Sequence, residues 1–181
     1  MSPIVASFVA TSISFVLFTL VAVWYAGPWM NRRPLAVALS APLWIHAFRH
    51  VALQIFSAQR FGFHIPDNLA RQIAWGDVAG AVLALAALWL LRSRSRAAVV
   101  VIWLFVVETL VDFVNASAIS IRERTSETAH ALTWLILNLY VPLLVVSLAL
   151  LVWQLVSRRD EDLIGDEAPA RRTESASDPA A

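Results

Sequence analysis

The stretch W-I-H-A-F-R-H, Trp44 to His50, sets two imidazoles and a guanidinium inside a run that is otherwise soluble in lipid. Extended in both directions, the run covers Leu35–Ser57, longer than the roughly 20 helical residues that cross a ~30 Å hydrocarbon core. Four more runs of that kind follow from the same reading: Ile4–Ala26, Gln72–Leu91, Ala97–Ala118 and Ala131–Val156. Inside lipid a backbone amide has no water to bond, so each run must be helical. The predicted fold class is therefore all-α, an integral membrane bundle of five transmembrane helices over residues 1–157. A polar tail, 158–181, follows and is predicted to be disordered, because its Ala/Pro/Ser-rich mixed-charge composition cannot bury a core.

Composition points the same way. Hydrophobic residues make up 59% of the 181, against about 45–50% in soluble domains. There is no cysteine, which excludes disulfides and thiolate-held metals. All 14 basic residues are arginine, so no lysine is present to form a Schiff base with a cofactor. The net charge of +1 implies no nucleic-acid partner. The first run lacks a basic leader and a small-residue cleavage site, and reads as a retained helix.

Arginine counts set the expected orientation. One set of connections holds Arg32, Arg33, Arg92, Arg94, Arg96, Arg158 and Arg159; the other holds Arg60, Arg71, Arg122 and Arg124. The richer side is expected to be cytoplasmic, with the N-terminus out and the C-terminus in. This is the pattern of a multi-pass protein of the cell membrane, in a bacterium the inner membrane. Six tryptophans, Trp24, Trp29, Trp75, Trp89, Trp134 and Trp153, fall near span ends, as an interfacial belt does.

Depth then sorts the polar residues. At 1.5 Å per residue, His46, Glu108 and Asn138 are expected in a middle layer. His50, Asp77 and Asp112 are expected one turn outward, with Arg49 between the layers and Asn115 beyond. His46, Arg49 and His50 stand at i, i+3, i+4, and Glu108, Asp112 and Asn115 at i, i+4, i+7, so each set shares a helix face. An ionised group at mid-membrane costs about 2.5–3.5 kcal/mol. Three acids and an arginine left unpaired would cost about 10 kcal/mol, a whole protein's stability. The groups are thus expected to meet one another. The plainer alternative is helix–helix adhesion, for which Gly76, Gly80 and Ala84 already provide a small-residue seam. Pro42 and Pro142 are expected to kink their helices, Asp67 or Asn68 to cap the third helix behind Pro66, and His64 to be solvated.

The segment S-E-T-A-H-A-L-T-W-L-I-L-N-L-Y-V-P-L-L, Ser126 to Leu144, resembles the last helix of the EXPERA family, which includes the emopamil-binding sterol isomerases and the sigma-two receptor. His46 and His50 sit where the isomerases carry a His and an acid one turn apart. Asp77 matches an acid on the next family helix, and E-T-L-V-D, Glu108 to Asp112, resembles a polar pair on the one after. The likeness spans roughly residues 40–156. It departs at His50, which replaces the acid, and at Arg49. The resemblance implies a sterol-like or amphipathic ligand and a lipid isomerase. His46, Glu108 and Asp112 would be catalytic, moving a proton and stabilising a carbocation-like intermediate. Arg49, His50, Asp77, Asn115, Asn138 and Trp134 would bind the ligand.

Three other functions compete. Intramembrane Asp, Glu and His also mark proton relays and proton-coupled transporters, but here the inner half is apolar. H-x-x-x-H could hold a metal, yet Arg49 between the imidazoles opposes a cation. A bis-histidine haem would need His130 as partner to His50, and His130 lies at the rim. No metal or cofactor is therefore expected. The partner is a membrane lipid or amphipathic small molecule, and a homo-oligomer or a place in a larger membrane complex is compatible with the sequence.

Overall fold

The computed structural model describes residues 2–161; the tail expected to be disordered lies, from residue 162 on, outside the described residues. Five helices are long and apolar enough to cross a membrane: α1 (Pro3–Asn31), α2 (Leu35–Arg60), α3 (Asp67–Arg92), α4 (Ala97–Arg122) and α5 (Ala131–Ser157). A single helical turn, Thr125–Thr128, joins α4 to α5. No strand occurs among the described residues. The end of the bundle carrying Ser2, Arg60, Asp67 and Ala131 is here the upper end, and that carrying Asn31, Leu35, Arg92 and Ser157 the lower.

Two helices outrun their hydrophobic signal. α1 continues through Gly27–Pro28 to Asn31, past the expected end at Ala26. A proline ring clashes with the carbonyl four residues back. The wide π-helical turn Ala22–Ala26 avoids this, with the Gly27 N–H reaching the Ala22 carbonyl five residues back. α5 repeats the device: a π turn at Ile136–Tyr140 precedes Val141–Pro142, and the Val141 N–H bonds the Ile136 carbonyl. α3 begins at Asp67 rather than Gln72, because its first turn is amphipathic and escapes a hydropathy window. Neither Asp67 nor Asn68 caps it: Pro66 holds the cap position, and Asp67 lies in the first turn, where a negative charge favours the helix N-terminus. Its Oδ1 accepts a hydrogen bond from Gln59 Nε2 at 3.0 Å.

α2 is not uniform. It is α-helical over Leu35–Ala47, with the buried Pro42 inside that stretch, tightens to a 3₁₀ helix over Phe48–Gln54 and resumes as α-helix at Ile55. At the first change the Ile45 carbonyl accepts the Tyr140 hydroxyl of α5 at 2.9 Å.

The helices pack in the order α1, α5, α2, α3, α4, an arc in which α3 and α4 form the most extensive pair. In the lower half the arc fills its own interior. Leu39 and Leu43 of α2, Ile102 and Phe105 of α4 and Leu151 of α5 are all fully buried there, against Ala84 and Ala87 of α3. The lower rim is tied by Arg158. Its guanidinium bonds the carbonyls of Met30 (3.2 Å) and Arg33 (2.9 Å) and the carboxylate of Glu161. That bond holds the Glu161 carboxyl below its usual range and the guanidinium above its own. Gln154, fully buried, joins Asn31 at 2.9 Å. At the upper end a smaller core forms around Phe63, Ile65, Leu69 and Ile119. Gly62, at φ +94, turns the α2–α3 loop so that Phe63 and Ile65 fold inward.

Candidate functional site

Arg49 is the hub. Its side chain is fully buried, and every branch of the guanidinium has a partner. Nε donates to Asp77 Oδ1 of α3 at 2.7 Å. Nη1 donates to Thr109 Oγ1 of α4 at 2.9 Å and lies 3.6 Å from Glu108 Oε2. Nη2 pairs with Asp112 Oδ2. The Thr109 hydroxyl in turn donates to Glu108 Oε2 at 3.3 Å, and the Phe113 ring lies 5.5 Å from Cζ. One cation thus faces three carboxylates from two helices. Burial of the guanidinium is tolerable because each of its branches has a partner.

The space for the cluster comes from α3. A Cβ on Gly76 would strike the Asp112 carboxylate, and one on Gly80 would strike the Arg49 guanidinium and come within 2.9 Å of Glu108 Oε2. The small-residue seam and the charge cluster, read from the sequence as alternatives, are one construction. The glycines admit charged groups between α3 and its neighbours.

Several sequence expectations are corrected. His50 does not join Asp77 and Asp112: it is exposed, and its Nδ1 stays with the Ala47 carbonyl at 3.1 Å. The 3₁₀ segment explains this. With three residues per turn, Arg49 stays in line with His46 while His50 rotates off the face. The middle layer of His46, Glu108 and Asn138 does not form. His46 is fully buried against the edge of Phe105, with Nε2 3.1 Å from Ser147 Oγ. The Ser147 hydroxyl can donate to the Leu144 carbonyl at 3.0 Å, which leaves Nε2–H as the donor to Ser147. His46 Nδ1 has no partner among the described residues. Asn138 instead ties α5 to α1: Thr11 donates to its Oδ1 at 2.7 Å, and its Nδ2 reaches the Trp134 carbonyl at 2.8 Å and Ser7 Oγ at 3.4 Å. Asn115 accepts from Gln72 at 3.1 Å above the cluster. His130 is exposed at the upper rim. Among the described residues no three His, Asp or Glu side chains are disposed to hold a metal ion.

Above the cluster lies a pocket of about 490 Å³ with contributions from all five helices. Arg49, Asp77 and Asp112 form its floor, Asn138 and Tyr140 lie on the α5 side, and Ile73, Phe113 and Ile136 are among its apolar walls. His46, Glu108, His50, Asn115 and the Trp134 side chain are not among the lining residues. Glu108 touches Arg49 from the α3–α4 side, away from the pocket. Thr109, Tyr140, Ser7 and Thr11 are polar members of the site that the sequence reading did not single out. For Thr109 a signal existed: Ala98, Ile102, Phe105, Thr109, Asp112, Ala116 and Ile119 alternate spacings of four and three, the stripe of a helix seam.

The family described as Domain of unknown function (DUF8737) matches residues 6–156, the whole of this arrangement except the ends of α1 and α5. No curated protein and no solved structure matches.

Proposed function

We propose that this chain, which belongs to the DUF8737 family, is a multi-pass membrane protein that holds an amphipathic, lipid-like ligand in the upper pocket, the ligand's polar end resting on Arg49, Asp77 and Asp112. The observation that carries this reading is the contrast between floor and walls. An ion cluster forms the base of a chamber whose sides are chiefly apolar, with only a few polar side chains. Its volume falls within the ~300–1,000 Å³ of small-molecule sites. The floor presents two carboxylates to one guanidinium, so the favoured polar end donates hydrogen bonds or carries positive charge. The resemblance of Ser126–Leu144 to EXPERA proteins supports a sterol-like ligand, and an isomerase would find its carboxylates in Asp77 and Asp112, the acids that reach the pocket.

Arginine distribution supports an upper end facing outward and a cytoplasmic C-terminus, in a bacterium across the inner membrane. A proton conduit is the weaker reading. Below the cluster, Leu39, Leu43, Ile102, Phe105 and Leu151 fill the interior, which suits a site with one mouth.

Extraction of the lipids retained by the purified protein, followed by mass spectrometry, tests the proposal. Wild type is expected to carry a discrete amphiphile that the Asp77→Asn/Asp112→Asn variant loses. Identical lipid content in both, with both folded, would overturn the ligand site.

A further inference from the structure

Among the described residues, one seam around the pocket carries neither extensive packing nor a side-chain hydrogen bond across it. α1 packs on α5 and on the Thr125–Thr128 turn, and α4 packs on α3 and on that same turn; no comparable packing joins α1 to α4 among the described residues. These two helices are the ends of the arc, and the pocket lies between them. Ser7, Phe8 and Thr11 of α1 line one side, and Ala116, Ser117 and Ser120 of α4 the other. Ile4, Ser120 and Ile121 also line a second hollow nearer the rim, with Arg124, Ser126 and Glu127. The pocket therefore continues along the gap between α1 and α4.

On the side of the α2–α3 loop the upper end is covered. Phe63 and Ile65, both buried, fold from the α2–α3 loop over the upper end of the pocket. Thr125 is also buried, and is bonded to Ser120. The turn that carries it lies between two non-glycine residues in the left-handed region, Arg124 (φ 50) and Ala131 (φ 46). Such backbone persists only where its surroundings fix it. The floor is closed by packing, as are the α1–α5, α2–α3 and α3–α4 seams, and at the height of the pocket the α2–α5 seam is bridged by the Tyr140 hydroxyl to the Ile45 carbonyl (2.9 Å) and by Gln54 to Thr133 (3.4 Å). The α1–α4 seam is lined by small side chains on α4, and its surroundings are lipid-facing: Val114 and Ile121 are 72% and 79% exposed, and Phe8 is 73% exposed.

We propose that the pocket is filled sideways from the bilayer, through the seam between α1 and α4, and that its ligand is consequently a membrane-resident amphiphile and not a solute captured from water. This rests on the ligand-site reading above and adds the source of the ligand. A molecule sliding in between Phe8 and Ser117 keeps its apolar body in hydrocarbon throughout. Only its polar end crosses apolar surface, and Ser7, Thr11, Ser117 and Ser120 line that short path with hydroxyls.

The absence of cysteine lets the seam be closed by design. The full-length protein is reconstituted in phosphatidylcholine vesicles containing a diazirine-bearing phosphatidylcholine, and photolabelled peptides are mapped. The seam is closed in two independent ways: Ile4→Cys/Ile121→Cys joined by a short bismaleimide after folding, and Ser117→Trp as a plug. Single-cysteine variants treated with the same reagent are the controls. Label on the side chains of Phe113 and Ile136 themselves, resolved from that on their exposed neighbours by fragmentation, is expected in wild type and controls and lost in both closed forms. Equal pocket labelling in open and closed forms would overturn lateral access while leaving the ligand site standing. No pocket labelling in wild type would overturn both.

Discussion

The lower and upper halves of this bundle use the same helices to opposite ends. Below Arg49, α2, α3, α4 and α5 press leucine, isoleucine and phenylalanine into a filled interior. Above it the arc stays open between α1 and α4, and the interior is a pocket on an ionic floor. The boundary is about one helical turn deep. His46 points into the filled half, against Phe105 and Ser147, and Arg49, three positions on, points into the cluster. The difference teaches that the charge cluster is the lid of one core and the base of one pocket. In lipid, apolar packing gains no hydrophobic drive, so the lower half rests on close contact between side chains. The upper half rests on the partners that Arg49 gathers from α3 and α4.

That contrast yields an ordered set of expectations. The largest concerns the hub. Arg49→Met leaves three carboxylates without their cation, and removing one partner of a buried ion pair costs about 3–5 kcal/mol. Leu43→Ala in the lower core leaves the charges intact and should cost about 2–5 kcal/mol through its cavity. Denaturation in mild detergent measures both. The account expects only Arg49→Met to be repaired, by Asp77→Asn/Asp112→Asn in the same chain.

The second expectation is a reversal of sign. In an ordinary exposed helix Gly→Ala stabilises by about 1 kcal/mol. Gly80→Ala drives a methyl into Arg49 and Glu108, so a loss of about 1–3 kcal/mol is expected. A raised melting temperature would show that no guanidinium occupies that space. The third is smaller. Asn138→Leu cuts the ties to Ser7 and Thr11 and should cost about 1 kcal/mol, as interhelical hydrogen bonds in membranes do, seen as faster protease cleavage within α1. The smallest lies at the lower rim. The Glu161 carboxyl is depressed by Arg158, so its contribution is present above the ordinary carboxylate range and fades as pH falls through the lowered value. The group is exposed, and Arg158→Gln should weaken the acid dependence of melting by no more than a few tenths of a kcal/mol.

The sequence made the five spans legible because lipid leaves so few backbone solutions. It made the charge convergence legible through helical spacing in α2 and α4. What stayed hidden has identifiable causes. A period of 3.6 places His50 in the cluster, and the 3₁₀ turn changes the period locally. In α4 two stripes run side by side, one through Glu108, Asp112 and Asn115, the other through Phe105, Thr109 and Asp112. Burial selects the second, and spacing alone does not. Gly76 and Gly80 read as packing residues until the groups facing them were known. The extension of α1 past Pro28 depended on a π turn that no residue type announces. The arc order of the helices, and with it the open seam, is a matter of which helix neighbours which, and hydropathy carries no such information.

One measurement bears most directly on the shared cluster: a double-mutant cycle on stability between Arg49→Met and Asp112→Asn, read by reversible denaturation in detergent. The account predicts strong coupling, about 2 kcal/mol or more, because each change removes the other's partner. Additive effects within about 0.5 kcal/mol would mean that the guanidinium and the carboxylate do not meet, and would contradict it.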